Sequence, residues 1–536
     1  MSISTDVRTV CEPDSAATRQ CPSDATFRSI LFPVASGDMG LEVTDQPPCF
    51  VDLNLDQIVA AIVSKRDENV LRPIFHSTFR NEHIVRHRLA VFADLERPEV
   101  LPHFPEFCET MQSVKANLAY LEKIGCKCHR NLVFLHAVSL YTQSVGTLLE
   151  RLQAVSLHSD GLKYLRAYLA DYAHSSAFTS LVAETADLQG NLSKITYSTL
   201  FRGDKVTVRK YASEPDYTVT ILDRFARFRE GKIEAPALPR PKDSLSLNHI
   251  EEGILEFVGR LHPREFTALA DFVRRHSDFI DETIARFDRE IDFYLAYLAL
   301  IDPLKQTGLP FCHPDVSTSC KETEVCSSFD LALAIKLTRE QSAIVTNDFH
   351  LNSAERLIVV SGPNQGGKTT FARMFGQLHF LAGLGCPVPG AHAKLFLADH
   401  VFTHFEREED ITNLRGKLED ELLRLHRSCE SMTPDSVVVL NEIFNSTSLD
   451  DQIFLSTKIL QHLISIDAIG VCVTFIDALS TLSDKTVSMV STVAADDPSR
   501  RTFEIVRRPA DGLAYALSLA DKRGVTYRQL RERIRP

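Results

Sequence analysis

The spacing of apolar residues divides the chain into two parts that meet near residue 330. Before that point apolar residues recur at steps of three and four, the spacing of one helix face. After it, short apolar runs rich in β-branched residues alternate with helical stretches. Such alternation is typical of an α/β domain with a largely parallel sheet. We therefore expect a mainly helical part over residues 26–330 and an α/β domain over residues 331–536.

Helical spacing is clearest at residues 53–63, 83–95 and 131–152. A longer pattern, from 263 to 301, follows a proline-rich linker at 235–243. Its apolar positions are Ile280, Ile284, Phe287, Ile291, Tyr294 and Leu298. This pattern predicts one amphipathic helix of roughly 35 residues, about 50 Å long, which is a suitable length for a lever arm.

One β-prone segment interrupts the helical part. Residues 195–200 and 206–211 flank a five-residue connection that contains Gly203, so we expect a hairpin within an insertion at about 194–231. Positive charge concentrates there, on Lys194, Arg202, Lys205, Arg209 and Lys210. These cations fit either a solvated hairpin or a contact with nucleic-acid phosphates.

Composition and charge restrict the functional classes. The chain has 536 residues, with 59 Lys and Arg against 71 Asp and Glu, for a net charge of −12. A dedicated nucleic-acid binder more often has a basic footprint. Any contact with DNA or RNA must therefore use a local patch.

The N-terminal region and the cysteines suggest a cytoplasmic protein. Residues 1–25 are rich in Ser, Thr, Asp and Pro and lack the apolar stretch of an export signal, which predicts a disordered tail. No apolar run approaches the ~20 residues needed to cross a bilayer, so we expect no membrane contact. The twelve cysteines lack the paired C-x₂-C spacing of a structural zinc site. Reduced thiols are the simplest account, with zinc a minor alternative.

A phosphate-binding loop follows the apolar run at 357–360 and precedes a helical stretch at 371–384. Its G-x₄-G-K-T pattern provides bare backbone amides, a lysine for the β- and γ-phosphates and a hydroxyl for Mg²⁺. The candidate ATP-binding residues are Ser361, Gly362, Pro363, Asn364, Gln365, Gly366, Gly367, Lys368, Thr369 and Thr370. We expect ATP and Mg²⁺ here, with the metal held by Thr369.

A second candidate element lies about 70 residues further on. The apolar run at 437–440 ends in Asn441 and Glu442. In ATPases of this kind the end of a strand brings a metal-binding side chain and a base that orients the attacking water. We therefore assign Asn441 to the metal and regard Glu442, together with Lys368, as catalytic. Because Asn441 stands where an Asp is usual, we expect slow hydrolysis.

These residues resemble the MutS class of mismatch-repair ATPases, relatives of the ABC ATPases. The loop is similar to that family's T-G-P-N-M-G-G-K-S-T. The block from Asn441 through Thr447 and Ser448 to Asp451 is similar to its D-E-I-G-R-G-T-S-x-x-D. Asn347 matches an Asn near the adenine, and residues 511–514 resemble the closing Y-G-L-A. The likeness is specific over about 344–520 and weak but co-linear over about 50–340.

The resemblance implies an α/β P-loop ATPase domain of the ABC type after a mainly helical core and lever domain with a small β insertion. It further implies a homodimer through the ATPase domains, in which Asp410, Gly416 and Glu421 form a signature segment that completes the partner's nucleotide site. The hairpin would act as a clamp on double-stranded DNA, opened or closed by ATP. The implied role is DNA mismatch repair or recombination.

Three positions depart from the family pattern. Gly416 replaces the signature Ser, Phe475 follows Thr474 where the family has His, and Asn441 replaces Asp. The family's mismatch-reading G-x-F-Y-E wedge is missing before the helical core, so we do not expect mismatch recognition in the usual manner. Alternatives are an ATP-gated scaffold with little hydrolysis and an RNA- or ribosome-associated clamp.

Overall fold

A computed structural model describes residues 27–34, 45–64, 66–203, 205–213, 246–406, 416–494, 500–510 and 526–534. Five sequence-based predictions lie wholly or partly outside these ranges. They concern the tail at 1–25, residues 214–231 of the insertion, the linker at 235–243, Asp410 and residues 511–514.

Helices make up most of the described part before residue 310. They are α1 (Cys49–Asp52), α2 (Leu55–Val63), α3 (Glu68–His76), α4 (Glu82–Leu95), α5 (His103–Leu121), α6 (Lys127–Ala154), α7 (Asp160–His174), α8 (Ser176–Leu192), α9 (His249–Leu261), α10 (Pro263–Arg275) and α11 (Glu282–Gln306). The three segments with the clearest helical spacing are confirmed as α2, α4 and α6.

The single helix predicted over 263–301 is wrong. Helix α10 ends at Arg275 and α11 begins at Glu282. Asp281 starts the second helix, because its carboxylate accepts the N–H of Ile284 as an N-cap. The apolar spacing runs through the break because Phe279, between the helices, is buried in the same core. A continuous 50 Å lever is therefore not formed.

The predicted hairpin is confirmed. Strand β1 (Tyr197–Arg202) pairs antiparallel with β2 (Lys205–Lys210), and Arg202 lies opposite Lys205. The turn is tighter than the sequence suggested, because only two residues connect the strands. Gly203 has a φ of 58°, in the left-handed region that glycine adopts without strain.

Strands and helices alternate after residue 310. The strands are β3 (Phe311–Cys312), β4 (Asp315–Ser317), β5 (Thr323–Ser328), β6 (Asn347–Leu351), β7 (Leu357–Ser361), β8 (Val388–Pro389), β9 (His392–Phe396), β10 (Val401–Phe405), β11 (Val437–Asn441), β12 (Ile469–Val473), β13 (Thr486–Val493) and β14 (Arg501–Arg507). The helices are α12 (Leu331–Arg339), α13 (Lys368–Leu384), α14 (Lys417–Ser431), α15 (Leu449–Ser465) and α16 (Tyr527–Arg533).

The main sheet has the order β10-β11-β12-β7-β13-β14. Its neighbouring strands run parallel except for β13 and β14, so the predicted largely parallel sheet is confirmed. A second sheet has the order β4-β9-β5-β6. Because it joins strands from both sides of residue 330, the α/β part begins nearer residue 311.

Both faces of the main sheet are covered. In β11, Val437 and Val439 belong to a large core that extends through the helical part, whereas Val438 and Leu440 belong to a smaller cluster on the opposite face. Successive side chains of a strand point to opposite faces, so a strand buried on both sides is a continuous apolar run. This explains why the strands before the two candidate site segments are so apolar.

Helix α6 departs from the expectation that no segment could span a bilayer. Among the described residues it is long and apolar enough to do so by length and composition, but 61% of its apolar window is buried within the fold. Core helices of soluble proteins commonly meet the same criteria. Its position fits a core helix of the helical part.

Arg88 joins the two parts of the molecule. The side chain is fully buried, and it donates to the carbonyls of Leu31 (3.2 Å) and Leu384 (2.9 Å), the latter at the end of α13. Its guanidinium also lies over the rings of Phe32, Phe79 and Phe293, at 5.3, 4.7 and 5.3 Å from their centroids.

We expect Arg88→Met to lower the free energy of unfolding by about 3 kcal/mol, because two buried carbonyls lose their charged donor. Denaturant titration of the full chain measures this change. Arg264→Met on the exposed surface of α10 is the matched control, with an expected change below about 0.5 kcal/mol. Equal unfolding midpoints for the two variants would contradict this role for Arg88.

Candidate nucleotide site

The glycine loop connects the end of β7 to the start of α13. Gly362 and Gly367 have φ values of 115° and 92°, which side chains disfavour. A Cβ on Gly366 would lie 2.2 Å from the Ser491 Oγ atom, which donates to the Gly366 carbonyl at 2.6 Å. Gly362 and Gly366 are therefore required by the packing of β13, and Gly367 by its backbone conformation. Ser491 is distant in sequence, and no sequence pattern predicted its contact with the loop.

Lys368 is buried at the first position of α13. Its ammonium donates to the carbonyls of Gly362 (3.0 Å) and Pro363 (3.1 Å). The Phe475 ring covers it, with 4.2 Å from the nitrogen to the ring centroid. The lysine is thus held beside the loop, and Phe475 contacts it directly, whereas the sequence indicated only that Phe475 stands where the family has His.

Burial lowers the pKa of Lys368 to about 8, with the Glu442 carboxylate opposing this shift and Arg501 adding to it. A bound phosphate would favour the charged lysine and raise its pKa. Below about pH 8 the lysine is charged both before and after binding, so its contribution to ATP affinity is complete. Above that pH the contribution decreases, and it is lost once the pH exceeds the higher pKa of the bound state.

We therefore expect ATP affinity to weaken between about pH 8 and about pH 10, with proton uptake on binding. Calorimetric titration in buffers of different ionisation enthalpy measures both quantities. Lys368→Arg is the control, because arginine stays charged over this range. The same pH dependence in that variant would contradict the assignment to Lys368.

Thr369 and Asn441 are brought together from two elements. The Thr369 hydroxyl, on α13, donates to the Asn441 Oδ1 atom at the end of β11, at 2.9 Å. Mg²⁺ prefers oxygen ligands and usually retains phosphate and water ligands as well. Hydroxyl and amide oxygens at the phosphate end of the loop fit that ion. Within the described ranges, His, Cys, Asp and Glu form no cluster of three or more suited to a metal.

Glu442 follows β11 with a φ of 53°, in the left-handed region. Its N–H donates to the Val473 carbonyl at 2.9 Å, and its carboxylate accepts from the Asn445 amide at 3.3 Å. Glu442 lines the same cavity as Lys368. The Glu442 carboxylate is therefore positioned at the nucleotide cavity by an αL backbone and by the Asn445 amide.

A cavity of about 500 Å³ extends from the loop, within the size range of small-ligand sites. Gly366, Gly367, Lys368, Thr369 and Thr370 line it, with Asn364 and Gln365. An apolar wall is formed by Phe329, Leu333, Leu337, Ala343, Ile344, Val345 and Phe503, and Asp330 also lines the cavity. Sequence patterns did not identify this apolar wall, although the four-residue spacing of Leu333 and Leu337 could have indicated a helix face.

Asn347 lines the cavity, but its amide is engaged with β14. Its side chain donates to the Phe503 carbonyl (3.3 Å) and accepts the Ile505 N–H (2.7 Å). The placement of Asn347 near the adenine stays a prediction. Asn347 holds the strand that presents Phe503 to the cavity.

The three residues of the predicted signature segment have different outcomes. Asp410 lies outside the described residues, whereas Gly416 is exposed at the N-cap of α14. Glu421 is buried in its own chain, where it accepts the Phe444 N–H (2.7 Å) and bonds His404 (3.2 Å). The hydrogen bonds of Glu421 are thus made within its own chain, and completion of a partner's nucleotide site by this segment stays a prediction.

Glu421 supports the loop that contains Glu442. Burial by itself would raise the pKa of Glu421, but the hydrogen bonds from His404 and Phe444 outweigh it and lower the pKa. The carboxylate is therefore charged at neutral pH and fixes the backbone two residues after Glu442.

The candidate DNA-contacting residues lie elsewhere. Lys194, Arg202, Lys205, Arg209 and Lys210 are all exposed on or beside the β1–β2 hairpin. None of them lines the nucleotide cavity. The structure therefore presents two separate candidate sites.

The fold and the cavity define a mixed α/β protein with a glycine loop between a buried strand and a buried helix. Residues 358–524 match the family model described as MutS domain V. These comparisons show similarity to MutS-family proteins, and the family model covers about a third of the chain.

Curated relatives agree over similar lengths. "DNA mismatch repair protein MutS 2" of Halobacterium salinarum is 34% identical over 137 residues, which are 26% of this chain and 16% of that protein. "DNA mismatch repair protein MutS" of Rickettsia bellii is 28% identical over 127 residues, 24% of this chain and 14% of that protein. The match thus spans well under a fifth of either relative.

Proposed function

We propose that this chain binds and hydrolyses ATP with Mg²⁺ and uses the nucleotide to gate a dimeric, cytoplasmic DNA clamp of the MutS type, acting in mismatch repair or recombination. The observation that supports this most directly is that Lys368, Thr369 and Glu442 line one cavity of suitable size, with Asn441 hydrogen-bonded to Thr369. The α/β part would be an ABC-type P-loop ATPase domain.

Each side chain has a distinct part in the proposed reaction. The amides of the loop and the N-terminus of α13 bind the phosphates. Lys368 exchanges its two loop carbonyls for the β- and γ-phosphates, and Glu442 orients the attacking water and takes up its proton. Thr369 and Asn441 would hold Mg²⁺, which supplies charge stabilisation to the phosphates. The apolar wall with Phe503 would accommodate the adenine.

The second candidate function is an ATP-gated scaffold with little turnover. It is favoured by Asn441, whose amide provides no charge to the metal, and by Phe475, which occupies the space over Lys368. Both features weaken stabilisation of the transferred phosphoryl group but leave ATP binding intact. Turnover of the wild type against Glu442→Gln distinguishes the two functions.

DNA contact is assigned to the hairpin because of its local charge. Residues 194–211 contain five Lys and Arg and one Asp, within a chain of net charge −12. Neutralising Arg202, Lys205 and Arg209 to Gln should raise the Kd for duplex DNA and reduce the salt slope by about 0.9 for each DNA phosphate that the variant no longer neutralises.

Fluorescence anisotropy at several salt concentrations measures this slope. Arg528, Arg531 and Arg533 on α16 provide a matched control, because their joint change to Gln alters the charge equally on another exposed surface. If both triple variants have the wild-type slope, the hairpin does not bind DNA.

A further inference from the structure

The turn that follows β11 has a backbone that needs support from the rest of the fold. Glu442 and Phe444 have φ values of 53° and 61°, in the left-handed region that side chains disfavour. Phe444 is fully buried, so its N–H needs a partner within the protein. Residues in such conformations persist only where the surrounding contacts fix them. The contacts of this turn therefore determine where the Glu442 carboxylate lies.

Three other elements hold the turn at successive residues. A carbonyl at the end of β12 accepts the Glu442 N–H at 2.9 Å. Gln452, on α15, donates to the Ile443 carbonyl at 3.0 Å. Glu421, on α14, accepts the Phe444 N–H at 2.7 Å. Of these three contacts the last uses a charged acceptor, and such hydrogen bonds are about twice as strong as neutral ones.

His404 holds that charged acceptor in place. It lies on β10 opposite Leu440, two residues before Glu442, and its Nε2 atom bonds the Oε1 atom of Glu421 at 3.2 Å. The same Oε1 atom accepts the Phe444 N–H. His404 and Glu421 are only 4% and 6% exposed, and a buried carboxylate is costly unless donors surround it. Since a charged carboxylate can only accept, the His404 ring is the donor that fixes this oxygen for Phe444.

We propose that His404 is a positioning residue for ATP hydrolysis, acting through Glu421 and the Phe444 N–H to hold the Glu442 carboxylate where it orients the attacking water. This rests on the proposed function, since it requires that Glu442 act on water. It adds a chain of contacts from the edge strand β10 to the catalytic base. Of its four members Glu442 lines the nucleotide cavity and the other three do not. Turnover should therefore depend on His404, whereas ATP affinity should not.

The test compares His404→Phe, which keeps a ring but has no donor, with His404→Gln, which restores a donor. We expect kcat to fall about tenfold in His404→Phe, because a small displacement of a reacting group is costly in rate, with the Kd for ATP nearly unchanged. His404→Gln should recover turnover close to that of wild type. Steady-state phosphate release and calorimetric binding measure kcat and Kd. His426→Phe removes an exposed His on α14 and should behave as wild type.

A second measurement separates positioning from general destabilisation. In the Glu442→Gln background, the His404→Phe change should not lower the residual turnover further, because its role depends on the Glu442 carboxylate. An equal fall in that background, or unchanged turnover in His404→Phe alone, overturns the proposal and leaves the ATPase function intact. Absence of turnover in the wild type overturns both. Should His404→Phe fail to fold, Glu421→Gln takes its place with the same two expectations, because it weakens the same contact by removing the charge.

Discussion

Changing Glu442 to Gln is expected to lower ATP turnover about 100-fold or more, with ATP affinity nearly unchanged. The amide keeps the size of the side chain but cannot accept the proton of the attacking water, and loss of a general base commonly costs about 10²–10⁴-fold. The Glu442 N–H bond to Val473 is a backbone contact and remains. Steady-state phosphate release and equilibrium binding of ATP, measured on the same preparation, separate the two effects.

Glu430→Gln provides the control for Glu442, since it removes an exposed carboxylate at the far end of α14. It should turn over ATP as wild type does. If wild type and Glu442→Gln bind ATP equally and both fail to hydrolyse it, the chain is a scaffold rather than an enzyme. Equal and substantial turnover in both would remove Glu442 from the catalytic role.

Changing Lys368 to Ala is expected to weaken ATP binding at least about 30-fold, which corresponds to the roughly 2 kcal/mol or more that truncation of a buried charged partner costs. The free protein should not be destabilised to a similar extent. Burial disfavours the charged lysine, as its lowered pKa of about 8 shows, so removing it relieves a desolvation cost.

Lys368→Met separates charge from packing, because it keeps most of the stem against Phe475. Its ATP affinity should fall as far as that of Lys368→Ala, whereas Lys458→Ala on α15 should have no effect. Calorimetric binding and thermal unfolding of the nucleotide-free proteins measure the two quantities. Unchanged affinity in Lys368→Ala would exclude the loop as the phosphate site.

Phe475 links these two predictions. The ring lies against the Lys368 ammonium at 4.2 Å, within the range of a cation–π contact. A His at this position could donate a hydrogen bond to a phosphate, but Phe can only hold the lysine and exclude water. We therefore expect the replacement of His by Phe at this position to give slow hydrolysis together with firm ATP binding.

Local sequence determined much of the molecule. The apolar run before Gly362, the bare glycines and Lys368 are consecutive, so strand, loop and helix follow from neighbouring residues alone. The same holds for the apolar strand before Asn441 and for the hairpin closed at Gly203. In each case the preferences of adjacent residues agree with the final fold, and no distant contact is needed to choose it.

Only the tertiary structure decided how distant segments complete the site. Ser491 fastens the loop, Asn347 holds the strand of Phe503, and Glu421 supports the backbone after Glu442. The hydrogen bonds Ser491–Gly366, Asn347–Ile505 and Glu421–Phe444 join residues that are 125, 158 and 23 positions apart, respectively. Apolar spacing indicates which face of an element is buried but not its neighbour, so no pattern in the sequence identifies such pairs.

The same limit explains the misjudged helix of the helical part. The break between α10 and α11 is invisible to periodicity because Phe279 stays buried through it. Residues 27–34, at the start of the predicted helical part, are packed into the core, and the Tyr294 hydroxyl donates to the Ile30 carbonyl at 2.9 Å. The sequence determined the local conformations and the chemistry of their side chains. Long-range packing decided which segments come into contact, because burial depends on contacts between residues far apart in the chain.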